Sequence, residues 1–207
     1  MPDVKHFDPD TTVGTVVELL WRRGWPSTGI ADVVAATGLS RSSLYATFGG
    51  KNDLFLTAVR RYLAEYVDSM FGELATGSGG LADLAAFFDR LITARCTGRR
   101  ARWGCLATNL HTFAGSAVGD VAPVLAEHQQ RLRDAVSAAL ITARDLGQLR
   151  DDLTVPAVAE QLALLAQGIN VRSRAGADPR HLRRAAEAAL IAVRAPGSDV
   201  DLRFTTE

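Results

Sequence analysis

From Arg41 to Lys51 the chain reads R-S-S-L-Y-A-T-F-G-G-K, and nearly every polar side chain in it can hydrogen-bond a base edge or a phosphate oxygen. On a helix, Leu44 and Phe48 share one side while Ser42 and Ala46 point nearly opposite. The outer face is therefore small and hydrogen-bonding, so it can approach base pairs closely. Arg41 in the first turn matches guanine with two parallel donors, the Ser42 and Ser43 hydroxyls donate or accept, and Thr47 offers a methyl group. Tyr45 flanks this face, its hydroxyl in reach of a phosphate. Lys51 stands at the start of the next helix, where the helix dipole disfavours a cation by about 0.3–1 kcal/mol. A phosphate there reverses the sign, and the first backbone N–H groups with one lysine make a compact phosphate site that sets register without reading sequence. A tolerated surface lysine, offset by Asp53, is the plain alternative.

A second group of residues suits a small ligand. Trp103, Leu106, Leu110 and Phe113 form one apolar helix face, and Cys105, Thr108, Asn109 and Thr112 line the adjacent one. A mostly apolar pocket with a few polar groups is what small-molecule sites require. Tyr66, Phe88, Leu91, Leu164 and Gln167 are further candidates for its lining, with ordinary core packing as the alternative. Arg99, Arg100 and Arg102 near Cys105 would favour its thiolate and make it a sensor of oxidants or electrophiles. Otherwise the Arg95–Arg102 stretch reads as a solvated loop, and His111 as a surface or capped histidine.

No catalytic, metal or cofactor constellation accompanies these residues. The chain has no Gly-rich phosphate loop and no G-x-S-x-G, and its four histidines are scattered, with no His-x-x-x-His spacing. Cys96 and Cys105 form neither a disulfide framework nor a Cys-x-x-Cys pair, as expected of a reducing compartment. The N-terminus lacks the basic and apolar regions of a secretory signal, and no apolar run approaches membrane-spanning length, so a soluble cytoplasmic protein with no membrane partner is expected.

Helices must position these groups. The 207 residues are 47% apolar and 7% aromatic, rich in Ala, Leu and Arg, and no convincing period-two strand appears. The spacing predicts about nine helices: Thr12–Arg23, a short second ending at Gly38, a third capped by Ser40 and stapled by Leu39 and Leu44, and a long fourth over 52–74. The fifth begins at Leu81, the sixth spans Trp103–Phe113, and the seventh runs from an Asp120 cap to Gly147. Val155–Arg172 and Pro179–Arg194 complete the chain. The second and third, joined by a glycine-containing turn, have the helix-turn-helix arrangement, whose second member enters the major groove. The last two are apolar and small-residued over a wide arc, with Gly168, Ala185, Ala189 and Ala192; they suit either a subunit interface or the monomer core.

The segment Gly24–Leu54, GWPSTGIADVVAATGLSRSSLYATFGGKNDL, resembles the DNA-binding segment of the TetR family of transcriptional regulators. The shared pattern is a Gly after the first helix, Thr28 before an isoleucine-led second helix, Gly38 in the turn, Leu44-Tyr45, Phe48, Lys51 and Leu54. W-G-C-L at Trp103–Leu106, with Asn109, and D-L-G-Q-L-R-D-D at Asp145–Asp152 are similar to one branch of that family. The resemblance implies an all-α chain with a helix-turn-helix domain over 1–50 and a ligand-binding and dimerisation domain over 51–207. It further implies a homodimer through the last two helices, a double-stranded operator as partner, and a small-molecule effector that releases a repressor from a palindromic site. The expected DNA contacts are Thr28, Arg41, Ser42, Ser43, Tyr45, Thr47 and Lys51. The expected ligand contacts are Tyr66, Phe88, Trp103, Cys105, Asn109, Phe113 and Gln167. The alternative is an all-helical small-molecule or partner-binding protein of the same fold without significant DNA binding.

Charge sharpens both readings. With 23 basic and 23 acidic residues, the chain cannot grip a polyanion by bulk charge. Between Thr11 and Tyr62, however, six bases face three acids, a surplus of three. The family's usual basic N-terminal arm is replaced by Asp3, Asp8 and Asp10 with Lys5, so a minor-groove arm is not expected.

Overall fold

The computed structural model describes residues 7–111, 121–202 and 204; the expected Phe113 contact and Asp120 cap lie outside them. The described residues form ten helices: α1 (Pro9–Arg23), α2 (Ile30–Thr37), α3 (Arg41–Phe48), α4 (Lys51–Tyr66), α5 (Asp68–Thr76), α6 (Leu81–Cys96), α7 (Leu106–His111), α8 (Ala122–Asp145), α9 (Val155–Arg174) and α10 (Pro179–Val193). The chain is all-α, as expected, and no described helix is long and apolar enough to cross a membrane. One isolated bridge joins Leu149 to Arg194 and ties the α8–α9 connection to the end of α10.

The α1 helix starts three residues earlier than its apolar pattern indicates. Asp8 caps it, its carboxylate accepting the N–H of Asp10 at 3.0 Å and of Thr11 at 3.2 Å, with Pro9 in the first turn. Asp8 and Asp10 thus serve the helix start, where an acid is favoured by the dipole. Arg61 of α4 reaches back to the Asp10 carbonyl at 2.5 Å. Val13, Val16, Val17 and Leu20 face α4, where Leu54, Phe55, Ala58, Val59 and Tyr62 meet them.

The long helix expected over 52–74 is two helices. At Val67 the backbone leaves the helical region (φ −128°, ψ −46°) and α5 departs in a new direction. No Gly, Pro or polar cap marks the break, and the apolar phase runs through it. Its cause is tertiary: α4 packs along α1, whereas Phe71 and Leu74 of α5 pack toward α8.

The body of the molecule is built from α5, α6, α8, α9 and α10, with α6 between α9 and α10. Close approach at its edge depends on Gly80, which precedes α6 with φ +65°. A Cβ there would sit 2.7 Å from the Ala143 Cα and 2.9 Å from the Ala143 nitrogen, both backbone atoms of α8. Left-handed strain and forced separation together put the cost of Gly80→Ala at about 2–6 kcal/mol. Urea unfolding followed by circular dichroism should show this loss, and an unchanged midpoint would mean that α6 and α8 tolerate separation.

Candidate nucleic-acid interface and ligand cavity

The α2 helix ends at Gly38 in the left-handed conformation, and α3 begins two residues later with Ser40 as its cap. The Ser40 hydroxyl oxygen accepts the Ser43 N–H at 3.1 Å and lies 2.8 Å from both the Ser42 and Ser43 hydroxyls. Leu44 is fully buried and Leu39 packs on the core, so the staple expected from the sequence holds. Val33 of α2 is equally buried, which fixes the pair of helices to one another and to α1.

This anchoring leaves Arg41, Ser42 and Ala46 exposed on α3, with Ser43, Tyr45 and Thr47 half-buried at its flanks. The Arg41 guanidinium lies over the Tyr45 ring, 5.1 Å from its centroid, and Lys51 Nζ is 5.1 Å from the Phe55 centroid. Among the described residues neither Arg41 nor Lys51 is in an ion pair, and α3 carries no acid. Lys51 occupies the first turn of α4, whose cap, Gly50, donates its N–H to Asp53 at 2.8 Å. Thr28 is placed differently: it is completely buried and donates its hydroxyl to the Gly24 carbonyl at 2.7 Å. Its side chain locks the α1–α2 corner and is not presented with the other six.

A small cavity of about 30 Å³, room for one or two waters, lies among α4, α5, α6, α7, α8 and α9. Tyr66, Cys105 and Gln167 line it, together with Met70, Phe71, Phe87, Leu91, Arg95 and others. Three expected contacts lie elsewhere. Phe88 is fully buried in the core beside Phe87, Trp103 meets Trp21 edge-on at 5.7 Å, and Asn109 donates to the Trp103 carbonyl at 2.8 Å. Leu164, also expected in the lining, is 56% exposed, because α9 turns Leu162, Ala163, Ala166 and Ile169 inward instead.

The polar end of the cavity is a buried network. Arg95 is 4% exposed and donates from Nε to the Asn170 Oδ1 at 2.9 Å and from Nη2 to the Tyr62 hydroxyl at 3.4 Å. Tyr62 in turn donates to the Cys105 Sγ at 3.4 Å. Arg95 is thus no part of a solvated loop: its position on the inner face of α6, one turn after Leu91 and Ile92, carries it inward. Burial resists ionisation of Cys105, but His128, Arg95 and Tyr62 together pull its thiol down to about 5. Burial and Cys105 push Tyr62 the other way, so it stays a phenol. Burial raises the thiol of Cys96. The cationic partner that the sequence placed at Arg99, Arg100 and Arg102 is therefore Arg95, aided by His128 from α8. His111 is half-buried in the cavity wall, its Nε2 without a hydrogen-bond partner among the described residues.

Short links join the cavity region to α1. The Trp21 indole of α1 donates to the Gly104 carbonyl at 2.8 Å, one residue before Cys105. Arg174 at the end of α9 donates to the carbonyls of Trp21 at 3.1 Å, Trp103 at 2.8 Å and Arg22 at 3.3 Å. Glu18 of α1 holds both Arg99 and Arg100 from the α6–α7 connection. Gly104 is required here: its φ is +68°, and a Cβ would stand 3.0 Å from the Asn170 carbonyl and from Asn109 Oδ1.

A helix-turn-helix head on a helical body is the architecture of a DNA-binding transcriptional regulator, and comparison with known proteins agrees. Residues 15–58 match the family model described as bacterial regulatory proteins, tetR family, and residues 80–189 match the tetracyclin repressor-like C-terminal domain. The chain belongs to the TetR family of transcriptional regulators, which are not enzymes. It is 29% identical to the HTH-type transcriptional repressor ComR of Escherichia coli over 177 residues, covering 84% of this chain and 82% of that protein. It is also 29% identical over 165 residues to the uncharacterized HTH-type transcriptional regulator YezE of Bacillus subtilis, covering 76% of this chain and 81% of that one. Among solved structures, a cysteine mutant of the regulator CifR complexed with 26-base-pair operator DNA superposes with a TM-score of 0.81 at 22% identity, covering 93% of this chain and 99% of that one. The reduced form of NemR from E. coli superposes at 0.78 and 19%, covering 92% and 98%.

The Cys105 environment makes a measurable claim. In a Cys96→Ser variant, thiolate absorbance at 240 nm should titrate with a midpoint near 5, and His128→Ala should move that midpoint upward. A folded-state thiol held below its ordinary value of 9.0 stabilises the fold above that value, and the increment is lost as pH falls toward 5. Stability of the Cys96→Ser protein should therefore rise from pH 5 to pH 9 relative to the Cys96→Ser, Cys105→Ser double variant. A midpoint near 9 would show the thiol to be neutral.

Proposed function

We propose that this regulator is a repressor that binds a palindromic operator as a homodimer in the cytoplasm and leaves it when a small effector enters the α4–α9 cavity. The observation that carries DNA binding is the exposed face of α3: small, hydrogen-bonding, without an acid, and flanked by the unpaired cations Arg41 and Lys51. Arg41, Ser42 and Thr47 read base edges; Tyr45, Ser43 and Lys51 hold phosphates. Thr28 contributes by fixing the start of α2. The repressor named among the relatives supports the sign of regulation.

The dimer forms through α9 and α10. Leu164, Gly168 and Val171 follow one another at helical spacing on α9, and Leu164 (56%), Val171 (48%) and Ile191 of α10 (49%) are large apolar side chains left in solvent by a single chain. Exposed apolar surface of this kind marks an association site. Two α3 helices spaced by about one turn of DNA, roughly 34–36 Å, would then enter successive major grooves. Tyr66 and Met70 flank the α4–α5 break and line the cavity, so an occupant bears on α4, whose other end carries Lys51. Differential affinity of the effector for two α4 positions is what release requires.

Lys51→Ala and Tyr45→Ala should each weaken operator binding about tenfold or more while the dimer persists, and Lys51→Ala should also lower the salt dependence by about one phosphate per protomer. Electrophoretic shifts on the gene's own upstream DNA across a salt series measure both; unchanged binding by the two variants would remove this face from the interface. Leu164→Glu combined with Ile191→Glu should give a folded monomer in sedimentation with operator affinity lost. A dimer that survives both charges must form elsewhere.

A further inference from the structure

We propose that the cavity takes an organic anion, a compound whose carboxylate pairs with Arg95 and whose apolar ring lies among Met70, Phe71, Phe87, Leu91 and Leu132. The proposal rests on the reading of this cavity as the effector site and adds its chemical class.

Arg95 is the deepest arginine described; it donates to the neutral oxygens of Asn170 and Tyr62, lies 5.7 Å from the Trp21 ring centroid, and has the Cys105 sulfur as the one anionic group beside it among the described residues. Ten other arginines, all more exposed, hold a carboxylate within 4.0 Å: Arg23, Arg61, Arg90, Arg99, Arg100, Arg131, Arg133, Arg150, Arg180 and Arg183. Among the described residues none does so for Arg95. A buried cation without a carboxylate is expensive, and its retention in a cavity wall is explained by a partner that arrives from outside. The fold's own anion, the Cys105 thiolate, is large, soft and a weak acceptor, whereas a carboxylate accepts two parallel bonds from a guanidinium. When a carboxylate takes its place beside Arg95, the thiolate takes up a proton.

The route to Arg95 is itself cationic. An open groove of about 300 Å³ is lined by Trp21, Tyr66, Thr97, Arg99, Arg100 and Arg95, so Arg95 forms a wall of both the groove and the cavity. Three guanidinium groups there face one acid, Glu18. In a chain of zero net charge this concentrates anions at the cavity mouth. At about 30 Å³ the cavity is well short of the roughly 150 Å³ that accommodates a benzene in a protein core, so the apolar walls must part on entry. That requirement couples occupancy to the packing of α4 and α5.

The test uses the full dimer with benzoate and with benzamide, which has the same ring and no charge. Binding is read by calorimetry, and release of labelled operator DNA by fluorescence anisotropy. Benzoate should bind about ten- to hundredfold more tightly than benzamide. Arg95→Gln should abolish that difference and Arg95→Lys should keep it. If Arg95→Gln does not fold, the ratio in the unsubstituted protein and in Arg95→Lys decides. Equal affinities, no benzoate binding at millimolar concentration, or binding lost with Arg99→Gln and Arg100→Gln but kept with Arg95→Gln would each overturn the proposal. Charge-dependent binding through Arg95 without operator release leaves the anion site standing and overturns the effector reading instead.

Discussion

The hydrogen bond from the Trp21 indole to the Gly104 carbonyl spans 83 residues of chain and joins the recognition head to the body. Around it stand Tyr62 at 4.7 Å, Tyr66 at 5.2 Å and Trp103 at 5.7 Å, forming an aromatic cluster. Trp21 is 2% exposed, so a lost partner would leave a buried donor unsatisfied, at about 1–3 kcal/mol. Arg174 caps the same end of α1 from α9. The consequence is mechanical: α1 cannot shift relative to α7 or α9 without breaking oriented polar contacts, so displacement of either is felt in the head.

Charge is arranged with similar economy. The head carries a surplus of three positive charges, yet most of its acids are already engaged: Asp32 by Arg23, Glu18 by Arg99 and Arg100, Asp53 by the Gly50 N–H. Among the described residues Arg41 and Lys51, on α3 and at the start of α4, are in no ion pair, and neither are Arg22 and Arg60. In a chain of zero net charge, bulk attraction to a polyanion is absent. The acids near the N-terminus, which oppose a minor-groove arm, include the cap of α1.

The body keeps a polar network where an apolar core would be cheaper. Arg95, Tyr62, Cys105 and Asn170 are all buried, linked by bonds of 2.9–3.4 Å. Buried charge is weak evidence for stability, because apolar replacements of the same volume are often neutral or stabilising. Here the network stands beside a cavity, at the junction where Gly104 meets Trp21.

The sequence alone determined the all-helical class, the helix-turn-helix, the Ser40 cap, the Leu39–Leu44 staple and the outward set on α3, because these follow from local spacing and capping. Family membership followed from the same stretch. Tertiary structure alone decided the rest. Phe88 and Trp103 have the right type for a ligand pocket, but packing drew Phe88 into the core and set the half-buried Trp103 against Trp21. Thr28 turned inward because the Gly24 carbonyl needed a donor. Helices α4 and α5 separated at Val67, where two packing partners pull a continuous apolar stripe in different directions. Arg95 acquired its importance only from the depth at which α6 sits between α9 and α10. One-dimensional periodicity says which face is apolar; it does not say how deeply that face is covered, or by what.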